Sequence, residues 1–140
     1  MEKIVINKKQ NQEEFFLDYI NFLEGIKTKC KSMHWGILNI NIRDKRGAHI
    51  YLDEFLEIIS DYQDMIAETT QGILGNYITI DNIEGKKIRI IDDNPQGLLA
   101  ILLDNVTNFY NKIEYIGIKS ETETFIKDIQ KYNYLFNLCV

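Results

Sequence analysis

Apolar residues recur at three- and four-residue steps in four stretches of the chain, which is the period of a helix with one buried face. The first stretch runs from about Asn11 to Met33, where Phe16, Ile20, Leu23, Ile26, Cys30 and Met33 build one stripe. Gln12, Glu13 and Glu14 open it with acidic charge, where the helix dipole favours it. The second runs from about Ala48 to Ile73, through Leu52, Phe55, Leu56, Ile59, Tyr62 and Ile66, with Gly72 and Gly75 as stops. The third begins near Pro95, capped by Asp93 or Asn94, and carries Leu98, Leu99, Leu102, Val106, Phe109 and Ile113 until Gly117 ends it. The fourth is expected to open at Ser120, because Ser120 followed by Glu123 has the form of a capping box. Its buried side is Phe125, Ile126, Ile129, Tyr132 and Phe136.

Two connections are less regular. Between the second and third stretches, Tyr77–Ile80 and Lys86–Ile91 are rich in β-branched residues, and the pattern predicts a short β-hairpin or an extended crossover over Asn76–Asn94. Between the first and second, Ile37, Ile40 and Ile42 alternate like a short strand, and Asp44–Gly47 reads as a turn. No linker, repeat or low-complexity tract divides the chain. The expectation is one all-α domain over residues 1–140, a four-helix bundle with a long crossover, preceded by a flexible tail over residues 1–10.

Composition narrows the function. The chain has 140 residues, 45% of them apolar and 26% charged, which suits a globular domain with its own core. Its net charge of -5 argues against a broad nucleic-acid footprint, and Lys3, Lys8 and Lys9 are the only tail-like basic group. The two cysteines, Cys30 and Cys139, show no CxxC spacing, so a reducing, cytoplasmic setting is expected. Residues 1–9 lack the apolar core of a signal peptide, and no apolar run is long enough to span a membrane.

The candidate chemistry lies in the first two helices. The only histidines are His34 and His49, and Asp53, Asp64 and Glu68 follow on the second helix. Imidazole and carboxylate together suit iron, manganese or zinc. At about 100° per residue, Asp53, Asp64 and Glu68 lie roughly 40°, 60° and 100° round from His49, so all four share one stripe. Along the axis, however, His49 and Asp64 are roughly 22 Å apart at about 1.5 Å per residue. A metal–ligand bond is about 2.0–2.2 Å long. One chain therefore cannot close the set on one ion, whereas two antiparallel copies related by a two-fold axis can. Without such a partner, the same carboxylates are simply a solvated helix face, and Cys30 is a small core residue.

These residues also carry a resemblance. His34-Trp35, then His49-Ile-Tyr-Leu-Asp53, then Asp64-Met-Ile-Ala-Glu68 is similar to the signature of the Dps family, the small ferritins that protect DNA in starved cells. The likeness covers about Phe16 to Gly75, and His49 to Asp64 keeps the family's spacing. It departs in three places. His34 and His49 are three residues further apart than is usual, Gly36 replaces an Asn, and Tyr77–Ile91 looks strand-like where the family has a short helix. Neither histidine follows a glutamate by three residues, so the intrasubunit site of larger ferritins is disfavoured.

The resemblance implies a ferritin-like bundle with an intersubunit ferroxidase site, holding one or two Fe(II), or Zn or Mn. His34, His49 and Asp53 would come from one subunit, and Asp64 and Glu68 from its neighbour, with Trp35 beside the site. It also implies a homo-oligomer, an antiparallel dimer at least and a hollow iron-storing dodecamer in many relatives. The sequence further resembles a ferritin-like family of tailed phages. That likeness implies a virion or infected-cell setting and an alternative role as a structural or assembly protein.

Overall fold

The computed structural model describes residues 2–90 and 92–140, with side chains from Gln12 onward except those of Ile80 and Ile91. Four helices account for most of the chain: α1 (Glu2–Trp35), α2 (Lys45–Leu74), α3 (Pro95–Lys112) and α4 (Ile116–Asn137). The expected all-α four-helix bundle is the one observed. Helix α1 is continuous from Glu2 rather than beginning near Asn11. The flexible tail expected over residues 1–10 concerns Met1 and side chains that lie outside the described residues.

Helix α1 packs on α2 and α3, and α4 packs on α2 and α3. Cross-bundle contacts fix the directions. Tyr19 meets Tyr62, and His34 meets His49, so α1 and α2 are antiparallel. Tyr62 meets Thr122 and Glu54 meets Tyr132, so α2 and α4 are antiparallel too. Tyr110 and Glu123 pair across the tight α3–α4 hairpin. Helices α2 and α3 consequently run in the same direction, and the chain must return along the whole bundle between them.

That return is the segment 76–94, and it is not a hairpin. Among the described residues it holds a single 3-10 turn, Ile80–Asn82, and no strand. Its backbone pairs with α1 instead of with itself: Lys86 N–H donates to the Asn21 carbonyl, and Glu84 N–H donates to the Asn21 side chain. Lys86–Asp18 and Lys29–Asp93 ion pairs hold it further along. The fit is so close at Gly25 that a Cβ there would stand 1.9 Å from the Lys86 carbonyl oxygen. β-branched residues marked an extended strap, and the backbone partner they found was a helix.

Other boundaries move for equally local reasons. Residues Ile37–Asn39 form a 3-10 turn, and Ile37, Ile40 and Ile42 are buried without forming a strand. Asp44 caps α2 by accepting from Gly47 N–H, and Gly75 ends it in the left-handed conformation (φ 71°). Asn94 rather than Asp93 caps α3, with Pro95 in its first turn. Helix α3 stops at Lys112, so Gly117 does not end it but lies in the first turn of α4. Ser120 is inside α4, and no capping box forms there: buried Ile118 draws the helix start back to Ile116.

The core is aromatic along its length, with Phe16, Phe55, Phe125 and Phe136 fully buried. Each buried side chain of this size contributes about 1.5–3 kcal/mol. Two tyrosine hydroxyls are buried with it and are satisfied in a chain, Tyr19 to Tyr62 at 2.8 Å and Tyr62 to Thr122 at 2.9 Å. Burial pushes the Tyr62 phenol up to about 12 and raises Tyr19 well above its ordinary value.

Candidate metal centre

The two histidines meet where α1 ends and α2 begins. Their rings stack with centroids 3.9 Å apart and planes 19° apart. His34 Nδ1 stands 3.0 Å from the His49 carbonyl oxygen. A carbonyl only accepts, so Nδ1 carries the proton and donates. In a neutral ring, Nε2 then keeps the free lone pair. Metal-binding histidines are commonly oriented in this way by a backbone carbonyl.

The surroundings come from both helices. Asp53 lies one turn along α2 from His49, and both are exposed. Beneath them Cys30 is buried and donates to the Leu52 carbonyl at 3.4 Å. Burial pushes the Cys30 thiol up to about 12, and the nearby Asp53 carboxylate adds to the shift. Fully buried and bonded to the backbone, this thiol is part of the packing between α1 and α2. Trp35 follows His34 and is 75% exposed, with Lys31 Nζ 5.5 Å from its ring centre.

Asp64 and Glu68 are exposed further along α2 and lie far from the histidines. Among the described residues, no group of three or more His, Cys, Asp or Glu side chains stands close enough to hold an ion. One chain thus brings His34 and His49 together, places Asp53 one turn along α2 from His49, and leaves Asp64 and Glu68 apart.

No protein-family model matches the sequence, and no curated protein matches it. Among solved structures, a Dps1 mutant of Mycobacterium smegmatis aligns over 94% of this chain and 96% of that one, at TM-score 0.65 and 16% identity. This chain has the fold of a Dps subunit. Its sequence signature and its fold therefore point the same way, although the departures in the first connection and the crossover are real. Between the histidines the connection forms the 3-10 turn at Ile37–Asn39 and buries Ile40 and Ile42. The rings still stack.

Sequence reading missed three features of this Dps-like face. Gln63 is buried between α1 and α2, where it donates to the Ile20 carbonyl and to Glu24 and accepts from Lys27 at 2.9 Å. A groove of about 420 Å³ lies over this network, between Glu24, Thr28, Lys31 and Trp35 of α1 and Leu56 and Ser60 of α2. A second hollow of about 340 Å³ lies toward the other end, between α1, the end of α2 and the strap. Glutamine inside a helical apolar pattern was the one available signal. Among the described residues no helix is long and apolar enough to cross a membrane.

Proposed function

We propose that this chain binds Fe(II) and oxidises it at sites completed between two copies, in the manner of Dps proteins. The observation that carries the reading is the stacked His34–His49 pair, whose His34 Nδ1 is already tied to the backbone and whose Nε2 is free. The donor set fits the ion: two imidazoles and the carboxylates Asp53, Asp64 and Glu68 are the mixture that iron accepts.

In this reading Fe(II) is the substrate. His34 and His49 hold it through nitrogen, and Asp53 supplies an oxygen ligand. A second copy lying antiparallel brings Asp64 and Glu68 to the same place. Their negative charge draws the cation in and stabilises the more highly charged product. Peroxide or dioxygen takes the electrons. Trp35, next to His34, lies close enough to intercept an escaping radical. Assembly into a homo-oligomer follows from the shared site, and a hollow dodecamer storing the oxidised iron is the form Dps proteins take.

The test is Fe(II) oxidation, followed by the absorbance of the Fe(III) product after addition of peroxide or air. The chain should oxidise Fe(II) well above the rate in buffer, and an Asp64→Ala/Glu68→Ala variant of unchanged oligomeric state should not. Equal rates in the two proteins would remove the ferroxidase reading and leave a Dps-like bundle used for structure or assembly.

A further inference from the structure

We infer that Arg43 is a positioning residue for the imidazole pair, and that it acts by clamping the connection between the two histidines to the residues that follow α4. The inference deepens the iron-site reading proposed above and rests on it, but its main readout is taken on the metal-free protein.

The pair is made at two helix ends, His34 in the last turn of α1 and His49 in the first turns of α2. Helix ends are where order is lost first. His34 Nδ1 meets the His49 carbonyl only while both ends keep their places.

The first observation is where the Arg43 fork goes. Its Nε donates to the main-chain oxygen of Val140 at 3.1 Å, and its Nη2 donates to the Leu138 carbonyl at 3.2 Å. Between these two bonds the Asp44 N–H donates to the Cys139 carbonyl at 2.8 Å. Two consecutive residues of the connection thus hold three consecutive residues after α4. Arg43 is exposed and forms no ion pair among the described residues. A planar guanidinium suits two fixed acceptors better than an ammonium does.

The second observation is what the clamp is tied to. Asp44, held through its N–H, is also the cap of α2, and its side chain accepts from Gly47 N–H at 2.9 Å. Cys139 is buried against the same turn, where a Cβ on Gly47 would stand 3.2 Å from its Sγ.

The third is the division of faces. At about 100° per residue, Gly47, Tyr51 and Glu54 share one side of α2, and His49 and Asp53 lie about 200° and 240° round from Gly47. The first side leans on the end of α4: Tyr51 meets Phe136 and Tyr132 edge-on, and the Tyr132 hydroxyl donates to Glu54 at 3.1 Å. The ligand face is therefore aimed from behind. Without Arg43 the connection loses two of its three bonds to this backing, and the His49 carbonyl drifts from His34 Nδ1. A neutral ring released in this way takes its proton on Nε2 as well, which removes the lone pair a cation needs.

The experiment is nitrogen-15 NMR of the imidazoles in the full metal-free chain, which has only two histidines to resolve. The spectra are taken at pH 8, above the ordinary range of an imidazole. The unaltered chain should carry the His34 proton mainly on Nδ1. In Arg43→Ala the ratio of Nδ1–H to Nε2–H should fall about fivefold, the worth of one hydrogen bond. Fe(II) oxidation should slow several-fold with it. Tyr62→Phe, which removes hydrogen bonds in the middle of the core, should leave the His34 ratio as it was. Arg43→Lys keeps the charge without the fork, and it is read by the same ratio where the Ala variant does not fold.

An unchanged His34 ratio in a folded Arg43 variant overturns the clamp. So does an equal fall in Tyr62→Phe, because the ring would then report only the stability of the bundle. The two readings fail separately. A ratio that falls in a chain unable to oxidise Fe(II) keeps the clamp and loses the ferroxidase, and Fe(II) oxidation with an unchanged ratio does the opposite.

Discussion

The two helical hairpins of this bundle are built for different tasks. The α3–α4 hairpin is short, at 18 and 22 residues, and its exposed faces carry acids and lysines without a histidine. The α1–α2 hairpin is longer, at 34 and 30 residues, and it carries the half-buried His34, the exposed His49 and the exposed tryptophan. Both hairpins contribute equally apolar inner faces to one core. The difference lies on the outside, where α1–α2 carries the imidazole pair and the tryptophan, while the large side chains that α4 exposes are Ile116 and Tyr134. The lesson is that acids alone mark nothing: Glu121 is exposed as Asp64 and Glu68 are, and Asp128 is half-buried, but no imidazole accompanies them.

The largest effect expected breaks the comparison where the hairpins are alike. Phe125 of α4 stacks on Tyr62 and Phe55 of α2, with ring centroids 4.0 and 6.3 Å apart, and it is 2% exposed. Phe125→Ala should cost about 3–5 kcal/mol, read by urea unfolding, because the cavity forms at the seam of the two hairpins. The site should vanish with the fold, not before it.

The next effect separates them. Asp64→Ala/Glu68→Ala should lower the Fe(II) oxidation rate at least about 100-fold, since even outer partners of a metal site are worth about 10–100-fold. The melting temperature should barely move, because both side chains are exposed and neither forms an ion pair among the described residues. The matched change on the other hairpin, Glu121→Ala/Asp128→Ala, should leave both quantities alone. A similar loss of rate from that pair would show that any surface acid serves, and the distinction between the hairpins would collapse.

The buried phenols give a third effect, shared by the whole core. The Tyr62 hydroxyl ordinarily titrates near 10.0 and is pushed up to about 12 by burial. The folded state therefore holds its proton more tightly than the unfolded state. The stabilisation is fully present below pH 10 and is lost as pH rises from about 10 to about 12, by an amount on the order of 2–3 kcal/mol. Stability measured by denaturant across pH 8–12 should decline in that window. Tyr62→Phe should flatten the decline while costing about 1 kcal/mol at neutral pH for the hydrogen bonds to Tyr19 and Thr122. A curve just as steep in the Phe variant would assign the alkaline loss elsewhere.

Much of this was legible from residues alone, and the failures have physical causes. The stripes Phe16–Met33 and Leu52–Ile66 found their helices because a one-sided apolar period admits no other regular structure. The pairing of His34 with His49 was legible from the signature, while the bond from His34 Nδ1 to the His49 carbonyl was not, since a backbone acceptor leaves no trace in side-chain identity. The crossover was legible as extended chain, and only its hairpin alternative failed, although Tyr77–Ile80 and Lys86–Ile91 have the composition of strands. What they lacked was each other: Asn21 took the hydrogen bonds a hairpin would have used. Ser120 misled in the same way, as a good cap placed where Ile118 was already buried in the helix. Trp35 was legible as a neighbour of His34, but the hollow toward the other end of α1 was not, because it is assembled from three separated segments.

The smallest effects come from the helix caps, and they sharpen the comparison most. Asp44 caps α2 through Gly47 N–H at 2.9 Å, and Asn94 caps α3 through Gly97 N–H at 2.8 Å. Replacing either by Ala should cost about 1 kcal/mol, because each leaves one amide at a helix start without its side-chain acceptor. The two should differ in reach. Asp44 lies at the start of α2, and the first turn it holds leads directly into His49. When that turn frays, the His49 carbonyl no longer fixes His34, so Asp44→Ala should slow Fe(II) oxidation several-fold beyond what its stability loss explains. Asn94 sits at the start of α3, on the hairpin that carries no ligand. Asn94→Ala should therefore lower the melting temperature by a similar amount and leave the oxidation rate of the folded protein unchanged. Equal losses of rate from the two caps would mean that the imidazole pair answers to the stability of the bundle as a whole rather than to the order of its own helix end.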